Sequence, residues 1–321
     1  MLITLQDIIC LLPQSWRKHV LIRIIIKLFP FFEQSVVRFN KNAVTVVDLR
    51  DAEARQTLRT KEFERQLFPM IDALLPDKGT FFDIGANFGC CTFGVFSRRQ
   101  RDQISYYLFE PNPLVISCLE KAKNVKQNKD GDFAIVEGCA TDRKGKSNLS
   151  FDLVHTGGGF IDRDGIGVIE NIVLDSFIRV AGIKCIDFCK IDIEGSEPFA
   201  LAGAKRSLNQ GLFKAIYIEV STENLERQGQ SAEDILKLLQ DSGFTLFWCR
   251  EEDFEVFTHL KEHETRIFCK GEEFCLALLD SFPPNYQTDI LALHDTSRIM
   301  KELQVQTKNN FSSQCMEVHL S

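Results

Sequence analysis

Between Thr80 and Trp248 short apolar runs alternate with amphipathic segments, and this rhythm constrains the fold more than any other feature of the chain. The runs Thr80–Ile84, Ile104–Phe109, Phe133–Glu137, Ile186–Ile193, Lys214–Val220 and Phe244–Trp248 have the length and content of buried strands. Between them, Phe88–Arg98, Pro113–Lys126, Glu197–Asn209 and Ala232–Asp241 read as helices. Strands interleaved with helices predict an α/β fold, a doubly wound and mostly parallel sheet covered on both faces. Lys146–Phe151 and Gly167–Val173 are expected as further β segments flanking a glycine-rich loop, His155–Phe160. A last strand near Phe274–Leu279 is expected to enter antiparallel.

Upstream, Val20–Phe32 is strongly apolar, but Arg23 and Lys27 interrupt it and Pro30 closes it. It falls short of the roughly 20 apolar residues of a spanning helix, and its internal charges do not suit a secretory signal. With Trp16, Arg17 and Lys18 it makes either a basic amphipathic helix on a membrane surface or a helix packed on the main domain or a second copy. Ser35–Phe39 and Ala43–Asp48 read as strands joined by Asn40-Lys41-Asn42, and Asp51–Leu75 as one helix ended by Pro76-Asp77-Lys78-Gly79. The expected organisation is therefore a helical region over 1–34, a main domain over 35–281 and a weakly structured tail over 282–321.

A net charge of −7 argues against a broad nucleic-acid-binding face, which needs clustered Lys and Arg. The 11 cysteines are odd in number, lie mostly in apolar runs and form no C-x-x-C pair or zinc-finger spacing. That usage fits a reducing compartment, so a cytoplasmic location is expected. The 27 Phe residues, scattered among Val and Ile, are expected to fill the core.

Ligands of an open α/β sheet sit at the carboxyl ends of its strands. The first strand ends in Asp83-Ile84-Gly85-Ala86-Asn87-Phe88-Gly89, where Gly85 and Gly89 permit a tight turn close to a ligand. This is neither G-x-G-x-x-G nor a P-loop, and the leading carboxylate suits a cationic or hydroxyl-bearing ligand rather than a pyrophosphate. The next strand ends in Glu110, placed to accept from both hydroxyls of a ribose. A third cluster, Lys190-Ile191-Asp192-Ile193-Glu194-Gly195, sets two carboxylates at a buried strand end, where they must face the mouth of the site. Glu219, one strand later, is expected on the same rim.

Together these residues resemble the FkbM-type methyltransferases, within the class I S-adenosylmethionine-dependent fold. The similarity runs through Phe82–Gly89, Phe109-Glu110-Pro111-Asn112, Leu174-Asp175-Ser176-Phe177, Lys190–Gly195, Ala200–Ala204 and Ile218-Glu219-Val220. It implies a seven-stranded, Rossmann-like sheet with a reversed last strand and an O-methylating enzyme, often acting on sugar hydroxyls. By that resemblance Asp83, Gly85, Asn87 and Gly89 hold the methionine part of S-adenosylmethionine and Glu110 its ribose. Cys90-Cys91 departs from the bulkier residues usual after the glycine loop, and Arg250–Lys270 lies outside the similarity.

Methyl transfer to a hydroxyl needs alignment and a proton acceptor. Asp192 leads for the base, followed by Glu194 and by His155 beside the glycine-rich loop. Asp192 and Glu194 on a divalent cation is the alternative, but two carboxylates fall short of such an ion's ligand set and no metal is assigned. The expected partner is a small-molecule or carbohydrate acceptor, without nucleic acid and with peripheral membrane contact open through the N-terminal helix. A nicotinamide-dependent oxidoreductase is the rival enzyme and lacks its third glycine. A catalytically inactive binding module is the rival outside enzymology.

Overall fold

Two residues in the left-handed region, Asn40 and Lys41 at φ 43° and 75°, turn the chain between β1 (Gln34–Phe39) and β2 (Ala43–Asp48), an antiparallel hairpin. Asn is among the few residues other than Gly that enter this region readily. The structure, a computed structural model, describes residues 5–11, 19–100, 102–150, 160–161, 167–269, 272–295 and 305–306. Upstream, α1 (Leu5–Leu11) lies against β1 and α3 (Ala52–Thr60), and α2 (His19–Leu28) against α3. Gln6 locks α1 down, donating to the Arg38 carbonyl at 2.8 Å and accepting from its N–H at 2.8 Å. Ile22 and Ile26 bury one face of α2, while Val20, Ile24 and Leu28 stand exposed on the other.

The single helix expected over Asp51–Leu75 is two helices, α3 and α4 (Leu67–Leu74). Asp51 caps the first, accepting from Ala54 N–H at 2.8 Å, and Lys61 ends it in a left-handed cap at φ 60°. Apolar periodicity runs through both helices, so it hid the six-residue loop between them. That loop proves to line the site.

The central sheet follows the order β5 (Asp132–Glu137), β4 (Gln103–Glu110), β3 (Lys78–Ile84), β10 (Phe188–Ile191), β11 (Ala215–Ser221), β15 (Gln287–His294), β12 (Phe244–Trp248). The first five are mutually parallel and β15 runs antiparallel between β11 and β12. Beyond β12 the antiparallel strands β14 (Glu272–Leu278), β13 (Thr265–Cys269) and β16 (Val305–Gln306) extend the sheet to ten strands. A small second sheet joins β6 (Cys139–Ala140), β7 (Lys146–Ser150), β8 (Phe160–Ile161) and β9 (Gly167–Ile172). The connecting helices are α5 (Cys90–Arg98), α6 (Pro113–Lys123), α7 (Leu174–Ala181), α8 (Glu197–Gly203), α9 (Lys205–Asn209), α10 (Thr222–Arg227), α11 (Ala232–Asp241) and α12 (Glu251–Val256).

This corrects two expectations at the C-terminus. Phe274–Leu279 supplies an added strand, not the reversed strand of the seven-stranded arrangement. That strand is β15, inside the segment 282–321 expected to be a weakly structured tail. Ile290, Leu291, Ala292 and Leu293 are fully buried there, so the main domain does not end at 281. Only four apolar residues, set among Gln, Asn and Pro, signal β15, too few for a strand to stand out by pattern.

Alternate residues of each strand feed two apolar layers. On one face Phe81 stacks on Phe188, with ring centroids 5.8 Å apart, and on the other Phe82 packs on Phe109 at 5.1 Å. Both faces of β3 are thus sealed, and only its carboxyl end is left for chemistry. The strand order reverses between β3 and β10, the switch point at which such sheets open a crevice.

Candidate active site

A cavity of about 530 Å³ opens at that switch point. Its floor depends on two crossing loops. Asp192 N–H donates to the Ile84 carbonyl at 3.0 Å, bringing the loop after β10 across the loop after β3. At Gly85, φ 81°, a Cβ would lie 1.9 Å from the Asp192 carbonyl oxygen, so no side chain fits the crossing. Gly89, φ 70°, starts α5, and a Cβ there would strike Phe93 at 2.6 Å. Gly89 thus serves the turn into α5.

Asp83 divides its carboxylate between fold and site. Its Oδ2 accepts from Thr92 N–H at 3.2 Å and Thr92 Oγ1 at 2.6 Å, capping the first turn of α5. Its Oδ1 is buried at the cavity without a partner, as is Asn87 Oδ1 from a residue at φ 46°. Burial raises the Asp83 pKa, against the lowering effect of Lys190. Glu110 Oε2 accepts from Asn87 N–H at 2.9 Å and Oε1 from Asn112 N–H at 2.8 Å. Burial pushes its pKa to about 7 despite those two bonds. Asn112 caps α6 through Oδ1, and its Nδ2 is buried without a partner.

The far side of the cavity is acidic. Lys190, 4% exposed, is ion-paired with Asp192 at 2.7 Å, and nearby carboxylates hold its pKa well up against burial. Glu194, at φ 57°, accepts from Asn224 Nδ2 at 2.8 Å, and burial followed by Asp192 lifts its pKa to about 7. Glu197 bonds Ile193 N–H at 2.9 Å and shapes the loop that carries them. Glu219 joins this side as expected of the rim, and Glu62 and Glu64 enter from the α3–α4 loop.

Asp83, Gly85, Asn87, Glu110, Asp192 and Glu194 therefore share one cavity, while His155 lies outside the described residues. Sequence reasoning missed Glu64, because its segment was read as helix. It gave no role to Lys190, although an ionisable residue inside an apolar strand signals a buried charge partner. Cys90 and Cys91 also line the cavity, and burial pushes both thiols up, so they act as apolar wall. Among the described residues, no group of three or more His, Cys, Asp or Glu is arranged to hold a metal ion.

A doubly wound sheet with a reversed strand beside its last parallel one, a glycine loop after β3 and an acidic end to β4 define a Rossmann-like methyltransferase domain of class I. The chain belongs to the FkbM methyltransferase family: the family model described as Methyltransferase FkbM domain matches residues 83–246, just over half of it. Among solved structures it is similar to the methyltransferase FkbM of Methylobacillus flagellatus, at 16% identity and a TM-score of 0.39, covering 71% of this chain and 55% of that one. It is also similar to a precorrin-6y C5,15-methyltransferase of Geobacter metallireducens, at 12% identity and 0.39, covering 73% and 89%. A TehB-like methyltransferase of Corynebacterium glutamicum overlaps at 11% identity and 0.36, covering 70% and 92%. The chain thus spans about half the length of the first of these, and overlaps this loose bear on neither acceptor nor mechanism. No curated protein matches the sequence.

Proposed function

We propose that this protein is an S-adenosylmethionine-dependent methyltransferase that methylates a hydroxyl oxygen on a sugar or another small or glycosylated acceptor. The observation that carries the cofactor reading is the set of buried, partnerless polar atoms around the glycine loop. Asp83 Oδ1 and Asn87 Oδ1 are acceptors suited to the ammonium of a methionine moiety. Glu110 keeps lone pairs for ribose hydroxyls, and Asn112 Nδ2 offers a donor beside it. When bound, the cofactor supplies a methyl group on a sulfonium, already electrophilic.

The chain's own residues then have to align the acceptor, worth several kcal/mol where geometry is tight, and take up its proton. Glu194 fits the proton acceptor best, because a carboxyl near pH 7 is matched to the task. Asp192, tied to Lys190, fits the role of fixing the β10 loop that carries Glu194. Calorimetry with S-adenosylhomocysteine tests the cofactor reading: binding to the intact protein, at least tenfold weaker in Glu110→Ala, is expected. Absence of binding to the intact protein, or preferential binding of NAD, defeats it.

A second reading concerns α2. Its exposed Val20, Ile24 and Leu28 continue into exposed Phe29 and Phe31, and Arg23 and Lys27 are exposed beside them. An apolar stripe flanked by cations matches an anionic lipid surface, on which the helix would lie flat. No helix among the described residues is long and apolar enough to cross a membrane. The buried thiols favour the cytoplasmic side of such a surface.

A further inference from the structure

We infer that the acceptor carries a protonated amine, held in the cavity by Glu64 and Glu219. This rests on the methyl-transfer reading above and names its substrate class. Among the described residues, eight acidic side chains line the cavity against one basic residue, Lys190, which is already paired with Asp192. S-adenosylmethionine offsets little of this, since its carboxylate cancels one of its two positive charges. Glu64 enters the cavity from the α3–α4 loop and Glu219 from β11, and the charges of Asp192 and Asp289 act on both.

Both residues keep an enclosed oxygen with no partner. Glu219 Oε1 accepts from Gln287 Nε2 at 2.7 Å, but Oε2 bonds nothing, and Glu64 Oε2 is in the same position. Ser196, 4% exposed, lines the same cavity with a hydroxyl that also lacks a partner. Enclosed acceptors without donors are costly unless a ligand supplies the donors. Burial comes first in raising Glu64 to about 8 and Glu219 to about 9. Asp192 and Asp289 push both the same way, Glu194 and Glu197 add to Glu219, and Lys190 and Arg250 oppose the rise at Glu64. An ammonium between them would oppose that rise and favour the ionised form of both.

A neutral hydroxyl offers one donor and no charge, whereas an alkyl ammonium brings three N–H donors and the charge. Two carboxylate oxygens do not fill the ligand set of a hard metal ion. The occupant is therefore an organic ammonium, positioned so that a nearby hydroxyl of the same molecule meets the methyl donor.

The test compares three ligands that differ only at the sixth carbon, one cationic and two neutral: methyl 6-amino-6-deoxyglucoside, its N-acetyl derivative and methyl glucoside. Saturation-transfer NMR follows each against the full chain saturated with S-adenosylhomocysteine at pH 7. The amine is expected to bind at least tenfold more tightly than either neutral sugar. That preference should collapse in the Glu64→Gln, Glu219→Gln double variant, with S-adenosylhomocysteine binding as its check of folding. Equal binding of the three, or none while S-adenosylhomocysteine still binds, overturns the amine and leaves the cofactor reading standing. Failure of S-adenosylhomocysteine itself to bind defeats the cofactor reading, and the inference with it. If the double variant does not fold, the preference of the intact protein alone decides.

Discussion

Asn40 closes the β1–β2 turn, yet both ends of its side-chain amide are spent on Phe63. Its Nδ2 donates to the Phe63 carbonyl at 2.7 Å, and its Oδ1 accepts from the Phe63 N–H at 3.0 Å. The Asn40 N–H also donates to the Lys61 carbonyl at 2.9 Å. Hairpin turn and α3–α4 loop are therefore one unit, and the position of Glu64 in the cavity depends on a residue in another element.

Asn40→Gly isolates that clamp, because glycine accepts the φ of 43° while removing both side-chain bonds. The loss should cost about 1–3 kcal/mol, the range for leaving such groups unpaired. Hydrogen exchange of the 61–66 amides should accelerate, while S-adenosylhomocysteine affinity stays within about twofold, less than 0.5 kcal/mol. Unchanged exchange over 61–66 would show that packing of Phe63, not the amide, holds the loop.

The split roles of Asp83 predict separable defects. Asp83→Asn keeps an oxygen for Thr92 but loses the charge facing the cavity, so the fold should persist and S-adenosylhomocysteine affinity fall at least tenfold. Thr92→Val removes the hydroxyl donor on the helix side while keeping the N–H bond, and should cost about 1 kcal/mol of stability, with a smaller effect on affinity. Paired thermal unfolding and calorimetry read both effects. Wild-type affinity in Asp83→Asn would remove Asp83 from the cofactor site.

What could be read in advance tracks the range of the forces involved. The parallel strands and the three strand-end motifs were legible because each is local: an apolar run, then a glycine or carboxylate where the backbone leaves the sheet. Helix Ala232–Asp241 and strand Phe244–Trp248 fell at the expected residues for the same reason. Strand β15 was not legible, since Ile290–Leu293 acquires its meaning only from β11 and β12 on either side. The break at Lys61 was equally hidden, because its stabilising partner is Asn40. Of the acidic wall, Asp192, Glu194 and Glu219 could be expected from their strand ends, whereas Glu64 could not, because it reaches them only through the fold of the α3–α4 loop.

The exposed face of α2 yields a prediction independent of the active site. Vesicles containing phosphatidylserine should sediment the full chain, and neutral phosphatidylcholine vesicles should not. Ile24→Glu with Leu28→Glu should abolish sedimentation while changing stability by less than about 0.5 kcal/mol, since both positions are exposed. Raised salt should weaken the wild-type interaction through Arg23 and Lys27. Equal sedimentation by both vesicle types would dismiss the electrostatic match.

Glu194 sets the direction of the pH dependence. Its carboxyl is lifted to about 7, so below that value it is protonated and cannot receive the acceptor's proton. Turnover should therefore rise with pH through about 7 and level off above it. Asn224 donates to Glu194 and favours the ionised form, so Asn224→Ala should move this limb to higher pH. Glu194→Gln should lower turnover by about 10²–10⁴-fold and flatten the limb, the usual range for losing a general base. A histidine titrates in the same interval, so His155→Ala must leave the limb in place if Glu194 is its origin. Should the limb survive Glu194→Gln and vanish in Asp192→Asn, the proton goes instead to the carboxylate beside Lys190.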